Sequence, residues 1–405
     1  MDKNIVLYDD EKDCCACGAC MNICPKSAIT MVEDDYGFVY PHINYDVCIK
    51  CGLCKKVCAF QNGQVSNNVL KSYAATSSNK EIIQKSASGG VFATIANSFL
   101  ECGGAVYGCS MENTNGVLMP KHIKITSNDK LYKLQGSKYV QSDLTDCFKQ
   151  IRDDLESGEN VMFSGTPCQV ASMYTFLENN KYDNFYTVDI ICHGVPSANF
   201  FRGYIELLNR NVKGQITNFR FRDKSNGWGL QSAFDYVDHL GNNKSKLINS
   251  ELSSYYKLFL NSSTYRESCY NCKYTNEHRA GDLTLGDYWG IQNKHPEYLV
   301  DNGADLDLKS GISCVLINTI QGQKLLKKYG AHLKLKETIF ENIAEGNEQL
   351  NHPSFKPNVY NEIMEMYKNG NYDAVEKWFN KNLGIKKYIK ILKDKLKCIL
   401  KKISS

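Results

Sequence analysis

Cys14-Cys15-Ala16-Cys17-Gly18-Ala19-Cys20-Met21-Asn22-Ile23-Cys24-Pro25 is the stretch on which the reading of this chain turns. Cys14, Cys17, Cys20 and Cys24 stand at C-x₂-C-x₂-C-x₃-C. Cys48, Cys51, Cys54 and Cys58 repeat the spacing, with Ala59 in the place of Pro25. Such a run wraps three thiolates around one 4Fe–4S cube and sends its fourth to a second cube. The ligand sets are therefore Cys14, Cys17, Cys20 and Cys58 for one cluster, and Cys48, Cys51, Cys54 and Cys24 for the other. A structural zinc site pairs C-x₂-C with a second pair at a longer interval, and a disulfide framework belongs to an oxidising compartment. The repeated triple run fits neither as well. Cys15 lies outside the pattern, either a packed thiol or a substitute ligand, and packing is the reading adopted. Residues 1–62 thus form a small dicluster ferredoxin-like domain.

Outward from this module, the 405 residues leave room for two or three domains. A hydrophobic content of 42% supplies sizeable cores. No apolar stretch follows Met1; Asp9, Asp10, Glu11 and Asp13 come early instead, so no secretory leader is expected. No apolar run of about 18 residues suggests a membrane span. Eighteen cysteines then point to a reducing compartment with thiols kept for metal, and the expected location is cytoplasmic. The net charge of +4 is uneven: residues 381–405 hold nine lysines against Asp394 alone, which leaves the body mildly acidic. Without a basic, aromatic-interleaved patch in the body, nucleic acid is not a partner.

The polar segment 61–68 reads as a linker. Beyond it, short apolar strands at Ser72–Thr76, Ala105–Gly108, Asn160–Phe163 and Phe185–Ile191 alternate with helical periodicity at Gly90–Leu100, Leu144–Leu155 and Gln169–Leu177. That alternation favours a mixed α/β (or α+β) core. The division is 70–150 and 155–330 as two parts of one domain, then a helical extension over 331–405.

A second cysteine set stands in this region. Cys168 follows a strand in Gly165-Thr166-Pro167-Cys168-Gln169, Cys192 ends another in Asp189-Ile190-Ile191-Cys192-His193-Gly194, and Cys269 and Cys272 form C-x₂-C. Strand ends of an α/β sheet collect ligands. Spacing alone leaves two readings open: a third 4Fe–4S cluster, or buried thiols with Cys269 and Cys272 binding zinc or nothing.

The segments Lys85–Phe92, Gly136–Ser142, Gly165–Gln169, Asp189–Ser197, Phe219–Trp228 and Arg279–Gly290 together resemble the family of beta subunits of coenzyme F420-reducing hydrogenases and dehydrogenases. The resemblance spans roughly residues 70–320 and implies an iron–sulfur flavoprotein with FAD and a 4Fe–4S cluster, which favours the third-cluster reading. It makes 70–330 a flavin-binding domain, with cofactor contacts from Ser88, Gly89, Gly90, Gly136, Ser137, Lys138, Tyr139 and Asp287. The glycines at 89 and 90 open a helix whose backbone N–H groups suit a phosphate; the bland reading is a turn. Lys138 suits the flavin's electron-rich edge, with a solvated lysine as the alternative. Asp287 suits a ribose or a substrate, or only a turn. Lys138, His193 and Asp287 are the catalytic candidates, although a core histidine is the simpler account of His193. Neither G-x-G-x-x-G nor G-x-x-x-x-G-K-[ST] occurs. The chain departs from the archetype by carrying its own dicluster module and a long C-terminal region. The deazaflavin coenzyme and the substrate are therefore not carried over.

The expected function follows. Single electrons from a soluble low-potential carrier such as ferredoxin pass through the clusters to FAD, which reduces an organic substrate by two electrons. Some relatives lie among polysaccharide and cell-envelope assembly functions, so a small-molecule or lipid-linked substrate is expected. The alternative is an electron-transfer subunit of a larger oxidoreductase complex, without its own substrate pocket. In the tail, Leu383, Ile385, Leu392, Leu396 and Ile403 recur at helical spacing among lysines. Such a helix can lie on the anionic inner face of a membrane, or pack on the body with a solvated lysine face.

Overall fold

The computed structural model describes residues 4–62, 66–114, 116–145, 147–178, 180 and 182–403, with side chains to residue 384. Its strands are β1 (Ile29–Glu33), β2 (Val39–Ile43), β3 (Lys71–Ser77), β4 (Ala105–Thr114), β5 (Val117–Ile125), β6 (Val161–Gly165), β7 (Phe185–Ile190), β8 (Gly214–Arg220), β9 (Gln231–Asp238), β10 (Asn243–Asn249), β11 (Leu283–Asp287), β12 (Ser313–Ile317) and β13 (Leu333–Thr338). Eight of them make one sheet in the order β13-β3-β12-β11-β7-β6-β4-β5. The four central strands β11, β7, β6 and β4 run parallel, and antiparallel neighbours close both sides.

Period-2 alternation assigns the two faces of this sheet. Ala105, Tyr107, Val161, Phe163 and Phe185 pack under the helices Cys147–Glu156 and Pro167–Phe176. Val106, Met162, Tyr186 and Val188 pack on the opposite side under Val91–Glu101 and Ile320–Tyr329. With both faces covered, the central strands are mostly apolar, as parallel strands are, and their buried polar residues Thr187, Asp189 and Thr284 are hydrogen-bonded. The antiparallel sheet β8-β9-β10 stands apart and shares a core with the helices Ala198–Val212 and Ser254–Leu260.

Two expectations need correction. The strand read at Ala105–Gly108 is the start of a ten-residue strand that pairs with β5 as a long hairpin. Pro120 hid β5 from the sequence reading; a proline is tolerated there because β5 is the sheet's edge. The chain beyond 330 is not all helical either, since β13 adds the other edge before the final helix. That helix, Tyr360–Ile403, breaks at Gly370, Asn371 and Gly384. Its first part packs on Ala198–Val212 through Tyr372 and Val375. The side chains of the basic tail after 384 lie outside the described residues, and with them the apolar face read there.

The cysteine-rich module is no separate bead. Ala19, Val57, Ala59 and Phe60 belong to the same core as Phe148, Val170 and Phe176. Residues 63–65 of the expected linker lie outside the described residues, but Asn67 already pairs with Arg279 through two backbone hydrogen bonds of 2.9 Å.

Candidate functional site

Two left-handed glycines shape the N-terminal cysteine loops. Gly18 (φ 83°) and Gly52 (φ 77°) start the short helices Ala19–Ile23 and Leu53–Lys56, and each turns the chain so that the surrounding thiols converge. Cys14, Cys17, Cys20 and Cys58 lie close enough to feel one another's charge. Cys54 likewise faces Cys51 and Cys24. Cys24, Cys48, Cys51 and Cys54 line one small cleft together. Burial pushes the Cys14 thiol up to about 12 and raises Cys20 and Cys58. Thiols so buried ionise only against a compensating cation, which iron supplies. Among the described residues, no three His, Cys, Asp or Glu side chains converge as a single ion requires. A cube places each thiolate on its own iron.

The second cysteine set converges although its members are far apart in sequence. Cys168 follows β6 and Cys192 follows β7, and these are adjacent parallel strands that end on the same side. Arg266 starts the helix Glu267–Tyr270, which brings Cys269 and Cys272 opposite them. Burial raises the Cys192 thiol well above its usual value, and Cys269, Cys168 and Cys272 each add to the effect. Cys269 is pushed up to about 12 by burial. Cys168 sits in the first turn of Pro167–Phe176, with Thr166 Oγ1 3.2 Å from its sulfur. Its thiol is lowered, chiefly by a hydrogen bond from Cys15. Cys15 also bonds Cys17, so it bridges the N-terminal cysteines and the second set.

Beside these thiols lies a cavity of about 310 Å³. Cys15, Cys168 and Cys192 form one part of its wall; the loop 134–142 and the start of Val91–Glu101 form another. Gly90 (φ 81°) opens that helix, and no side chain caps it. Its first N–H groups therefore need a partner from elsewhere, which the cavity can hold. Gly89 is fixed by packing: a Cβ there would clash with the Ala75 carbonyl oxygen and sit 2.9 Å from the Ser313 nitrogen. Lys224 donates to the carbonyls of Ile83 (2.8 Å), Ser88 (2.5 Å) and Ser310 (2.7 Å), pinning the same loop.

The three catalytic candidates all line this cavity. Lys138 is not solvated. Its ammonium donates to the carbonyls of Lys133 (3.1 Å) and Gln135 (2.9 Å), and burial lowers its pKa to about 8. Gly136 (φ 77°) makes the turn that folds it back. Ser137 and Tyr139 share the loop, with Tyr139 stacked on Phe259 at 4.4 Å. Asp287 ends β11 with both carboxylate oxygens engaged: Arg222 donates at 2.7 and 3.4 Å, and the Trp228 indole at 3.1 Å. That pairing orients Asp287 and sets Trp228 against Trp289 in a stack of 4.6 Å. His193 follows Cys192 on the wall, and its carbonyl accepts from Ser354.

The segment Arg279–Gly290 splits into two roles. Arg279 is buried and bonds the carbonyls of Tyr274 and Ile190, while Asp189 accepts from the backbone of Ala280 and Gly281. Asp282 accepts from Thr187 and Thr319. These bonds lock β11 beside β7; only Asp287 and the residues near it reach the cavity. The sequence reading missed His122, Cys109, Arg222 and Arg266. Arg222 lies inside the segment Phe219–Trp228, and Arg266 stands three residues before Cys269. No comparable signal marks His122 or Cys109.

Two family descriptions match the body. Coenzyme F420 hydrogenase/dehydrogenase, beta subunit N-term, covers residues 72–149, and the C terminus of the same beta subunit covers 158–341. A 4Fe-4S dicluster domain matches residues 13–62. One subunit of the F(420)H(2) dehydrogenase of Methanosarcina mazei is 25% identical over 190 residues, 44% of this chain and 53% of that protein. The chain thus spans about half the length of that relative. An uncharacterized ferredoxin of Methanocaldococcus jannaschii is 50% identical over 46 residues, 11% of this chain and 25% of that one. Among solved structures, the F420-reducing NiFe hydrogenase complex from Methanosarcina barkeri gives a TM-score of 0.44 at 15% identity, covering 76% of this chain and 95% of that one.

Proposed function

The chain belongs to the family of coenzyme F420 hydrogenase/dehydrogenase beta subunits and carries a 4Fe–4S dicluster domain, and from that premise we propose that it is an iron–sulfur flavoprotein oxidoreductase. One observation carries the reading: the cavity that suits a flat, phosphate-bearing cofactor shares a wall with Cys15, Cys168 and Cys192. Its size lies at the lower end of the range for ligand pockets. The chemistry of the lining suits FAD. The uncapped helix start at Gly90 suits the pyrophosphate, and the loop with Ser137, Lys138 and Tyr139 suits the ring. FAD, when bound, converts single-electron supply into two-electron reduction of an organic substrate.

The order of the wire follows from exposure. Cys51 is exposed, and Ile49 and Val47 beside it are 57% and 47% exposed, so electrons enter at the cluster of Cys48, Cys51, Cys54 and Cys24. Exposed Lys26, Lys55 and Lys56 in the same module suit an acidic, soluble, low-potential carrier such as a ferredoxin. The deeper cluster comes next. The set Cys168, Cys192, Cys269 and Cys272, read as a third cluster, stands last before the cavity. A cytoplasmic location and a small-molecule or lipid-linked substrate in cell-envelope or polysaccharide assembly complete the proposal.

Anaerobic purification with iron, sulfide and flavin counted, followed by titration with candidate acceptors, is the test. About twelve irons and one FAD per chain are expected. Eight irons remove the third cluster, FMN replaces the cofactor, and no flavin removes the converter. A second reading, an electron-transfer subunit without its own substrate pocket, is favoured by one finding: the matched relative from Methanosarcina mazei is itself named as a subunit. Turnover of acceptors by the isolated chain with reduced dye separates the two.

A further inference from the structure

Arg266 is 1% exposed. Its Nε donates to Gln141 Oε1 at 3.0 Å, Nη1 to the carbonyl of Cys14 at 3.3 Å, and Nη2 to the carbonyl of Val39 at 2.8 Å. The guanidinium lies over the rings of Tyr40 (4.5 Å) and Phe38 (5.2 Å). On its backbone side, its N–H donates to the carbonyl of Val195 in the Cys192 loop, and its own carbonyl accepts from Cys269 N–H at 2.9 Å. One residue thus touches the Cys14 loop, the cavity loop at Gln141, the Cys192 loop and the Cys269 turn.

A guanidinium stays charged in any protein setting, and burying a charge without a counter-ion in contact is costly. All three of its side-chain acceptors are neutral groups, so contact does not cancel the charge. Two carboxylates feel its field without pairing with it, Glu11 and Asp34, and Asp34 spends one oxygen on the backbone of Tyr36 and Phe38. A buried positive charge therefore remains between two sets of cluster thiols.

We propose that Arg266 is a positioning and potential-setting residue that raises the reduction potentials of both the Cys14 cluster and the Cys168/Cys192/Cys269/Cys272 cluster. The second half of this statement rests on the third cluster of the proposed function; the first half does not. Each cube gains one electron on reduction, supplied in a titration by dithionite, and no proton or bond is exchanged. A fixed cation stabilises the reduced cube more than the oxidised one, because net charge and surrounding dipoles set cluster potentials. The exposed Cys48 cluster lies outside this contact network. Electrons entering there then run downhill to the buried clusters, and Arg266 gives the wire its direction.

The test is an anaerobic potentiometric titration of the full chain followed by electron paramagnetic resonance, with iron counted on the same sample. In the native protein the Cys14 cluster should reduce at a higher potential than the Cys48 cluster, whose signal is assigned with Cys51→Ser. The reverse order overturns the proposal without any change at Arg266. Arg266→Met should move the Cys14 cluster, and the third cluster where present, to lower potential at unchanged iron content, and leave the Cys48 cluster in place. Arg266→Lys should restore most of the shift. Unmoved potentials in Arg266→Met, or equal shifts in the Met and Lys variants, reduce Arg266 to a structural clamp and overturn the proposal. If Arg266→Met does not fold, the native order decides. A native count of eight irons overturns the third cluster and leaves the Cys14 half to stand or fall on its own potential.

Discussion

His122 shows what burial does to one side chain. Its ring is 3% exposed, Nε2 lies 3.0 Å from the Ser164 carbonyl, and desolvation lowers its pKa to about 4. In the unfolded chain an imidazole titrates near 6.5. Between these values the unfolded state binds more protons, so stability rises with pH across the window. The contribution is fully present above about pH 6.5 and is lost as pH falls toward 4, amounting to about 3 kcal/mol in the limit. His122→Gln should flatten the pH dependence of the thermal midpoint between about pH 4 and 6.5. An unchanged slope would assign that dependence to other groups. Cys272 supplies the other residue-scale prediction. Cys272→Ala should cost about four irons and keep the N-terminal pair intact, read by iron count and resonance signals. Loss of all cluster signal would mean that the sites are not separate. The eight N-terminal cysteines were legible because ligands from one loop are also neighbours in sequence. His122 was not, since a lone histidine carries no spacing, and the position of Arg266 three residues before Cys269 marks its neighbour but not its role.

At the scale of elements, the junction of β3 with the helix Val91–Glu101 controls one wall of the cavity. Gly89 passes against Ala75 and Ser313 with no room for a methyl group. Gly89→Ala must therefore displace backbone rather than a mobile side chain. It should destabilise the protein by about 1–3 kcal/mol and weaken flavin retention, measured by urea denaturation and by flavin released per chain. Full stability with full flavin content would show that the wall tolerates the shift. The sequence reading placed this helix, β6 and β7 because their periodicity is local. It missed β11, which is short and carries Thr284, Gly286 and Asp287, and the edge strands β5 and β13, since an edge strand need be apolar on one face only and can carry Pro120.

For the whole molecule, the C-terminal helix has two portions with different work. Tyr372, Val375 and Phe379 are buried, so the part before Gly384 belongs to the body. After Gly384 (φ 49°) the helix runs on with a lysine-rich sequence. No helix among the described residues is long and apolar enough to cross a membrane. For the tail we expect surface attachment, each lysine adding on the order of 1 kcal/mol near anionic lipid. The full chain should co-sediment with anionic vesicles at low salt and dissociate at high salt, whereas a chain ending at Gly384 should stay folded and not bind. Unchanged binding after truncation, or an unfolded body, would exclude a surface anchor.

The sequence by itself determined the dicluster module, the alternating α/β core and the family, since each rests on residues a few positions apart or on segments in fixed order. Only the tertiary structure decided that Cys15, Cys168, Cys192, Cys269 and Cys272 meet beside one cavity, that Asp287 is held by Arg222, and that Arg266 sits between two thiol sets. The physical reason is that strand order follows from burying both faces of the sheet under helices, a long-range requirement. It makes β6 and β7 neighbours that end together, and no local spacing encodes that adjacency.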